Sequence, residues 1–210
     1  MRRFFILSLA AFFPLTACND IKKPSDANFT KAINQYLAKR GHACVFIGQT
    51  FPIDVTESEQ KDQYGIAREM AALEQAGLVH ASNTTAVVHG MLDALRGPTP
   101  PQPVRRYELT SEGKKYFHQT PGIFEKNGEF CYGEKVVDSI IKWTEPMTTG
   151  PSSESEVTYT YKLVNLAAWS EQPGIQRAFP DIRMTIGGAS KTNQIAGLQL
   201  TNKGWEVPEQ

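Results

Sequence analysis

The stretch Val157-Thr158-Tyr159-Thr160-Tyr161-Lys162-Leu163 alternates apolar or aromatic residues with polar ones. Successive side chains of a strand point to opposite faces of a sheet, so this alternation predicts a half-buried β-strand. Upstream, Lys135 to Trp143 is rich in Val and Ile and predicts a second strand, with Thr148 to Ser155 a flexible loop between the two. Downstream, Ala167 to Phe179 predicts a short helical excursion interrupted by Pro173. Ile182 to Ile186 reads as a further strand, and Leu198 to Val207 as a strand or a hairpin turning at Asn202-Lys203-Gly204. Residues 128–210 are therefore expected to form a small antiparallel β-rich domain.

Turn residues concentrate at Thr120-Pro121-Gly122 and Asn127-Gly128, which predicts a domain boundary between that sheet and a block spanning 26–120. In this block Asp26 is positioned to cap a helix carrying Phe29, Ile33, Tyr36 and Leu37 on one face, with Gly41 just past its end. Ala43 to Ile47 and Phe51 to Val55 read as extended. Thr56-Glu57-Ser58-Glu59 is a capping box, and Ile66, Met70 and Leu73 recur at helical spacing behind it. Gly65 is an interior weakness of that helix, and Gly77 closes it before Leu78-Val79-His80.

Two runs in the block, Leu73-Glu74-Gln75-Ala76-Gly77-Leu78-Val79 and Arg105-Arg106-Tyr107-Glu108-Leu109-Thr110-Ser111-Glu112-Gly113, resemble winged-helix domains. There a helix ends at glycine, a two-stranded wing comes next and a threonine caps the next helix. The likeness spans Asp26 to His118. Val87 to Pro103 departs from it, because a longer connection ending in Gly97-Pro98-Thr99-Pro100-Pro101-Gln102-Pro103 replaces a compact wing. The expected fold class is α+β, a winged-helix-like N-terminal block followed by a small antiparallel-sheet domain.

Winged helices suggest DNA, but the charge argues otherwise. Glu57, Glu59, Asp62, Glu69 and Glu74 outnumber Lys61 and Arg68 where a recognition helix would lie, and phosphate would be repelled. The chain carries 22 Lys plus Arg against 22 Asp plus Glu, so its field steers neither nucleic acid nor anionic lipid. No nucleic-acid partner is expected.

The first residues have a different task. Arg2 and Arg3 precede an apolar run, Phe4 to Phe13, that is too short for a well-anchored spanning helix, which predicts a signal peptide over 1–17. Leu15-Thr16-Ala17-Cys18 resembles the bacterial lipobox. That resemblance implies a lipoprotein with diacylglycerol on the Cys18 sulfur and a further acyl chain, such as palmitate, on its amine, enough to hold the protein on a membrane. Residues 18–25 then form a lipidated tether. Asn19 is not the aspartate that favours inner-membrane retention in enteric bacteria, so the expected location is the periplasmic cell envelope, at the outer membrane.

With Cys18 committed to lipid, Cys44 and Cys131 remain in an oxidising space. The pair either bridges or stays as two buried thiols. Spacing alone does not choose, and the compartment favours a disulfide. Neither lies in a Cys-x-x-Cys motif.

Catalytic signatures are missing: the sequence has no Gly-x-Ser-x-Gly elbow, Walker loop, His-Glu-x-x-His site or dinucleotide fingerprint. His42, His80, His89 and His118 are scattered without metal-ligand spacing, and Gly187-Gly188-Ala189-Ser190-Lys191 reads as a connecting turn. No metal or cofactor is expected. Trp143, Trp169 and Trp205, with Tyr159 and Tyr161, are the candidate binding residues, lining either a cleft or the core. Two functions remain open: a noncatalytic module that binds an envelope protein or glycan, or an envelope hydrolase whose site is assembled only by folding.

Overall fold

The computed structural model describes residues 20–62, 64–88, 100–121, 127–149 and 152–209. In chain order these form α1 (Asp26–Arg40), β1 (His42–Phe46), β2 (Ile53–Thr56), α2 (Glu57–Gln60), α3 (Ile66–Gln75), β3 (Val79–Ala86), β4 (Gln102–Leu109) and β5 (Phe117–Thr120). Next come β6 (Asn127–Trp143), β7 (Met147–Thr149), β8 (Ser152–Val164), α4 (Pro173–Ala178), α5 (Pro180–Gly188), β9 (Gln194–Thr201) and β10 (Gly204–Glu206). The class is α+β. A curled antiparallel sheet runs β1-β6-β8-β9-β10, with β5 also on β6 and β7 on β8, and a small sheet runs β2-β4-β3.

Local chemistry sets the helix ends. Ser25, not Asp26, is the N-cap of α1: its hydroxyl accepts from the Asn28 N–H, while Asp26 lies in the first turn, where a carboxylate suits the helix dipole. The capping box at Thr56 forms in both directions, yet its helix lasts only to Gln60. Gly65 sits at φ 91°, outside any right-handed helix, so the expected single helix is broken there into α2 and α3. At the end of α3 the Leu78 N–H returns to the Leu73 carbonyl and the Gly77 N–H to Glu74, which satisfies two terminal carbonyls.

Bulges give the large sheet its curl. Val137, Ile140 and Trp143 are three residues apart on β6, yet pair with Tyr161, Tyr159 and Val157 of β8, because the register shifts between 137 and 139 and again between 140 and 142. All six therefore share one face. On that face α1 buries Phe29, Ala32, Ile33 and Leu37 against Val137, Val157, Tyr159, Tyr161, Leu198 and Trp205. A second cluster joins β1, β2, α3, α4 and α5 around Phe130, Tyr132 and Trp169, and Leu163 packs against both clusters.

The packing crosses the boundary expected at 120–128. β1 pairs with β6, α1 lies on β6 and β10, and α4 lies on α3, so the N-terminal and C-terminal blocks share their cores. Two further expectations change. Ile182 to Ile186 is helical rather than extended, because Pro180 occupies the first turn of α5 and starts a helix. The supposed loop Thr148 to Ser155 is largely ladder, since β7 pairs Met147 to Thr149 with Glu154 to Ser152.

Candidate functional site

The aromatic set singled out from the sequence does not form one exposed surface, and of its members Tyr159 lines part of a groove beside α1. Tyr159, Tyr161, Trp169 and Trp205 are buried and Trp143 is half-buried. Phe29 meets Trp143 and Trp205 edge-on at centroid distances of 5.4 and 5.1 Å. Their polar tips are used within the fold: Trp143 Nε1 donates to Asp26 Oδ1, Trp205 Nε1 to the Lys22 carbonyl and the Tyr161 hydroxyl to the Thr185 carbonyl. Burial pushes the Tyr159 and Tyr161 hydroxyls above the usual tyrosine range. Trp169 Nε1 has no hydrogen-bond partner among the described residues and sits among the rings of Tyr116, Phe130 and Tyr132. Tyr159, Tyr161 and Trp205 pack with α1, with Trp143 against them, and Trp169 belongs to the second cluster.

The structure instead offers a two-lobed groove beside α1. One lobe, about 730 Å³, lies between Gln35, Lys39 and Arg40 of α1 and the segment Glu206 to Glu209. The other, about 700 Å³, runs over Tyr159 and Leu198 towards Met147 and Ile195. Tyr36, Gln199, Val207 and Pro208 line both lobes. The groove exists because β10 ends at Glu206 and Pro208 has no N–H to continue a ladder. The tail instead reaches α1, where Glu209 pairs with Lys39 at 2.7 Å, an ion pair that holds the Glu209 carboxyl below its ordinary range. Lys39 and Arg40 stand at one end of the groove and Glu154 and Glu156 at the other. Tyr36, at the core-facing stripe of α1, stays partly exposed where the sheet ends.

Comparison with other proteins adds no name. No protein-family model, curated protein or solved structure matches the chain.

The disulfide between Cys44 and Cys131 is present and bridges directly paired positions of β1 and β6. Glu129 lies beside it, giving the one grouping with metal-ligand chemistry among the described residues, but the S–S bond occupies both sulfurs. His80 faces Glu108 at 3.4 Å, and His42 and His118 are exposed on separate strands. Arg105 is engaged by Glu74, which raises its pKa further, and Arg106 by Asp54 at 2.7 Å. Gly187 and Gly188 belong to the last turn of α5.

Cys18 and His89 lie outside the described residues, as does part of the Val87 to Pro103 connection. From Asp20 onward the expected tether is pinned to the fold. Asn28 Nδ2 donates to the carbonyls of Asp20 and Lys23 at 2.9 and 2.8 Å, and Trp205 holds Lys22. Gly204, at φ 106°, is required beneath it: a Cβ there would stand 2.9 Å from the Ile21 carbonyl oxygen. No helix among the described residues is long and apolar enough to cross a membrane.

Proposed function

We propose that this chain is a lipid-anchored protein of the cell envelope, acting as a noncatalytic binding module whose partner is an envelope polypeptide. The groove beside α1 carries the reading. Its middle is apolar, through Tyr36, Leu198, Val207 and Pro208; one end is acidic at Glu154 with Glu156, and the other sets Lys39 and Arg40 beside Glu206 and Glu209. Such a surface suits a peptide segment with an apolar centre and a basic group to meet Glu154 and Glu156, whereas a neutral glycan would leave that acidic end unanswered. The disulfide supports an oxidising compartment. The lipobox-like Leu15-Thr16-Ala17-Cys18 supports an anchor at the outer membrane, and pinning of Asp20 to Lys23 would keep the fold close to it.

The small sheet is read as winged-helix-like. Support comes from its order β2-β4-β3, with α2 and α3 preceding the hairpin β3/β4. Its helical core differs from that family in that α1 serves the large sheet and α4 packs on α3. Arg105 and Arg106 are committed to carboxylates, which favours a protein-facing use over nucleic acid.

The test is in-cell photocrosslinking of the full-length protein, with the crosslinker at Tyr36 or, as control, at exposed Phe46. Capture of one envelope polypeptide at Tyr36, lost on Lys39→Glu with Arg40→Glu, is the expected result. Capture of glycan alone, or no capture while the purified protein cleaves peptidoglycan, would overturn it, the second in favour of a hydrolase. Cys18→Ser should abolish acyl labelling; unmodified Cys18 in envelope fractions of the wild type would refute the anchor.

A further inference from the structure

β9 ends the large sheet as an open edge. Its residues Gln199 to Thr201 are covered by β10, while Gln194 to Leu198 pair with β8 on one side and with no strand of the described residues on the other. The geometry of β8 decides which backbone groups face the open side. The N–H of Glu156 bonds Thr144 Oγ1 and its carbonyl accepts from the Thr144 N–H, so Glu156 turns its polar groups away from β9. The directly opposed Glu156 and Gly197 are therefore a pair that exchanges no hydrogen bonds. By alternation, Ala196 and Leu198 bond to β8, while Ile195 and Gly197 aim their N–H and C=O groups outward.

Edge strands are usually blunted by charge, proline or a covering element. The sequence Gln194-Ile195-Ala196-Gly197-Leu198-Gln199-Leu200-Thr201 carries no charge and no proline. Ile195 is 67% exposed, and a Cβ on Gly197 would meet nothing within 4 Å.

We infer that this edge pairs antiparallel with the same edge of a second copy of the chain, forming a two-fold dimer with one continuous sheet. The open window, Gln194 to Leu198, is centred on Ala196, so a two-fold axis at Ala196 superimposes the two windows end to end. In that register Ile195 of each copy faces Gly197 of the other, and every outward N–H and C=O of both residues finds a partner. The exposed Ile195 side chain lies beside the space that Gly197 leaves open on the same face. A register shifted towards Leu198 would run one β9 into β10 of the other copy, and one shifted towards Gln194 would leave Gly197 opposite residue 193, before β9 begins. The absence of charge along the strand means that self-pairing meets no like-charge repulsion, as an isologous contact requires. Ile195 to Leu198 also line the second lobe of the groove, so a second copy at this edge abuts that lobe, and trapping through position 196 is read separately from capture at Tyr36.

The experiment is disulfide trapping of the full-length protein in its native membrane. Ala196→Cys places one thiol from each copy on the axis, in a non-hydrogen-bonded pair where side chains come closest. It should give a covalent dimer under oxidation, whereas Met147→Cys, exposed but away from the edge, should not. Adding Ile195→Lys with Gly197→Lys should abolish trapping through like charges across the axis. Ile195→Glu with Gly197→Lys should restore it, because each glutamate then faces a lysine. Thermal melts verify folding of each variant. No dimer from Ala196→Cys, or a dimer that persists in the double-lysine variant, overturns the inference. If a variant fails to fold, the wild type still decides: protection of the Ile195 and Gly197 amides that does not rise with protein concentration overturns it.

Discussion

β8 and β9 are neighbours in one sheet, and they treat the same strand geometry in opposite ways. β8 is buried at every position from Val157 to Tyr161, whereas β9 alternates, with Ile195 and Gly197 exposed and Leu198 buried. In β8 Thr158 is sunk between longer neighbours, and Thr160 is buried as well. Thr158 lies opposite Lys142 on one side and Ile195 on the other, and Thr160 Oγ1 hydrogen-bonds Ser139 Oγ at 3.0 Å. At Thr158, strand partners on both sides remove the solvent face that alternation in sequence implies. β9 keeps its solvent face at Ile195 and Gly197, where one side has no partner strand among the described residues. A strand's burial thus depends on how many neighbours it has, which its own sequence does not state.

The largest effect tests what closes the inner face of β8. Phe29→Ala removes a fully buried ring held edge-on between Trp143 and Trp205 and should cost about 3–5 kcal/mol, read from denaturant unfolding. A cost near zero would mean that α1 does not seal β8. Next is the staple at the other end of the sheet: Cys44→Ala with Cys131→Ala should cost about 2–4 kcal/mol, since the bond closes a loop with a sequence separation of 87. The comparison itself is sharpened by one pair of truncations. Val157→Ala in β8 should cost about 2 kcal/mol, whereas Ile195→Ala in β9 should stay within about 0.5 kcal/mol under dilute, monomeric conditions. Equal costs would break the distinction between the two strands.

Much of this was legible in the sequence, and the illegible part has a physical reason. The strand at Val157 to Leu163, the capping box at Thr56, the helix end at Gly77 and the Cys44–Cys131 pair are local or compositional signals, and all are present in the fold. Pro180 was a readable helix start, outweighed by the β-propensity of Ile182 and Ile186. The bulges of β6 were not readable, since Val137, Ile140 and Trp143 share a face only through their pairing with β8. The same bulges bring Trp143 of β6 onto the face that Tyr159 and Tyr161 of β8 share by alternation. The groove was hidden too. Tyr36 belongs to the apolar stripe of α1 and lines a cleft only because the tail crosses from β10 to Lys39.

Hydrogen exchange along β9, followed amide by amide, tests the central claim of an open edge most directly. At dilution the Ala196 and Leu198 amides should be protected through β8, while those of Ile195 and Gly197 exchange freely, as the alternation of an unpartnered strand requires. The amides of β8 from Val157 to Tyr159, the positions paired with both neighbours, should all be slow. Raising the concentration should slow Ile195 and Gly197 selectively. Uniform protection along Gln194 to Leu198 at every concentration would contradict the account, because it would mean that the edge is already occupied within a single chain.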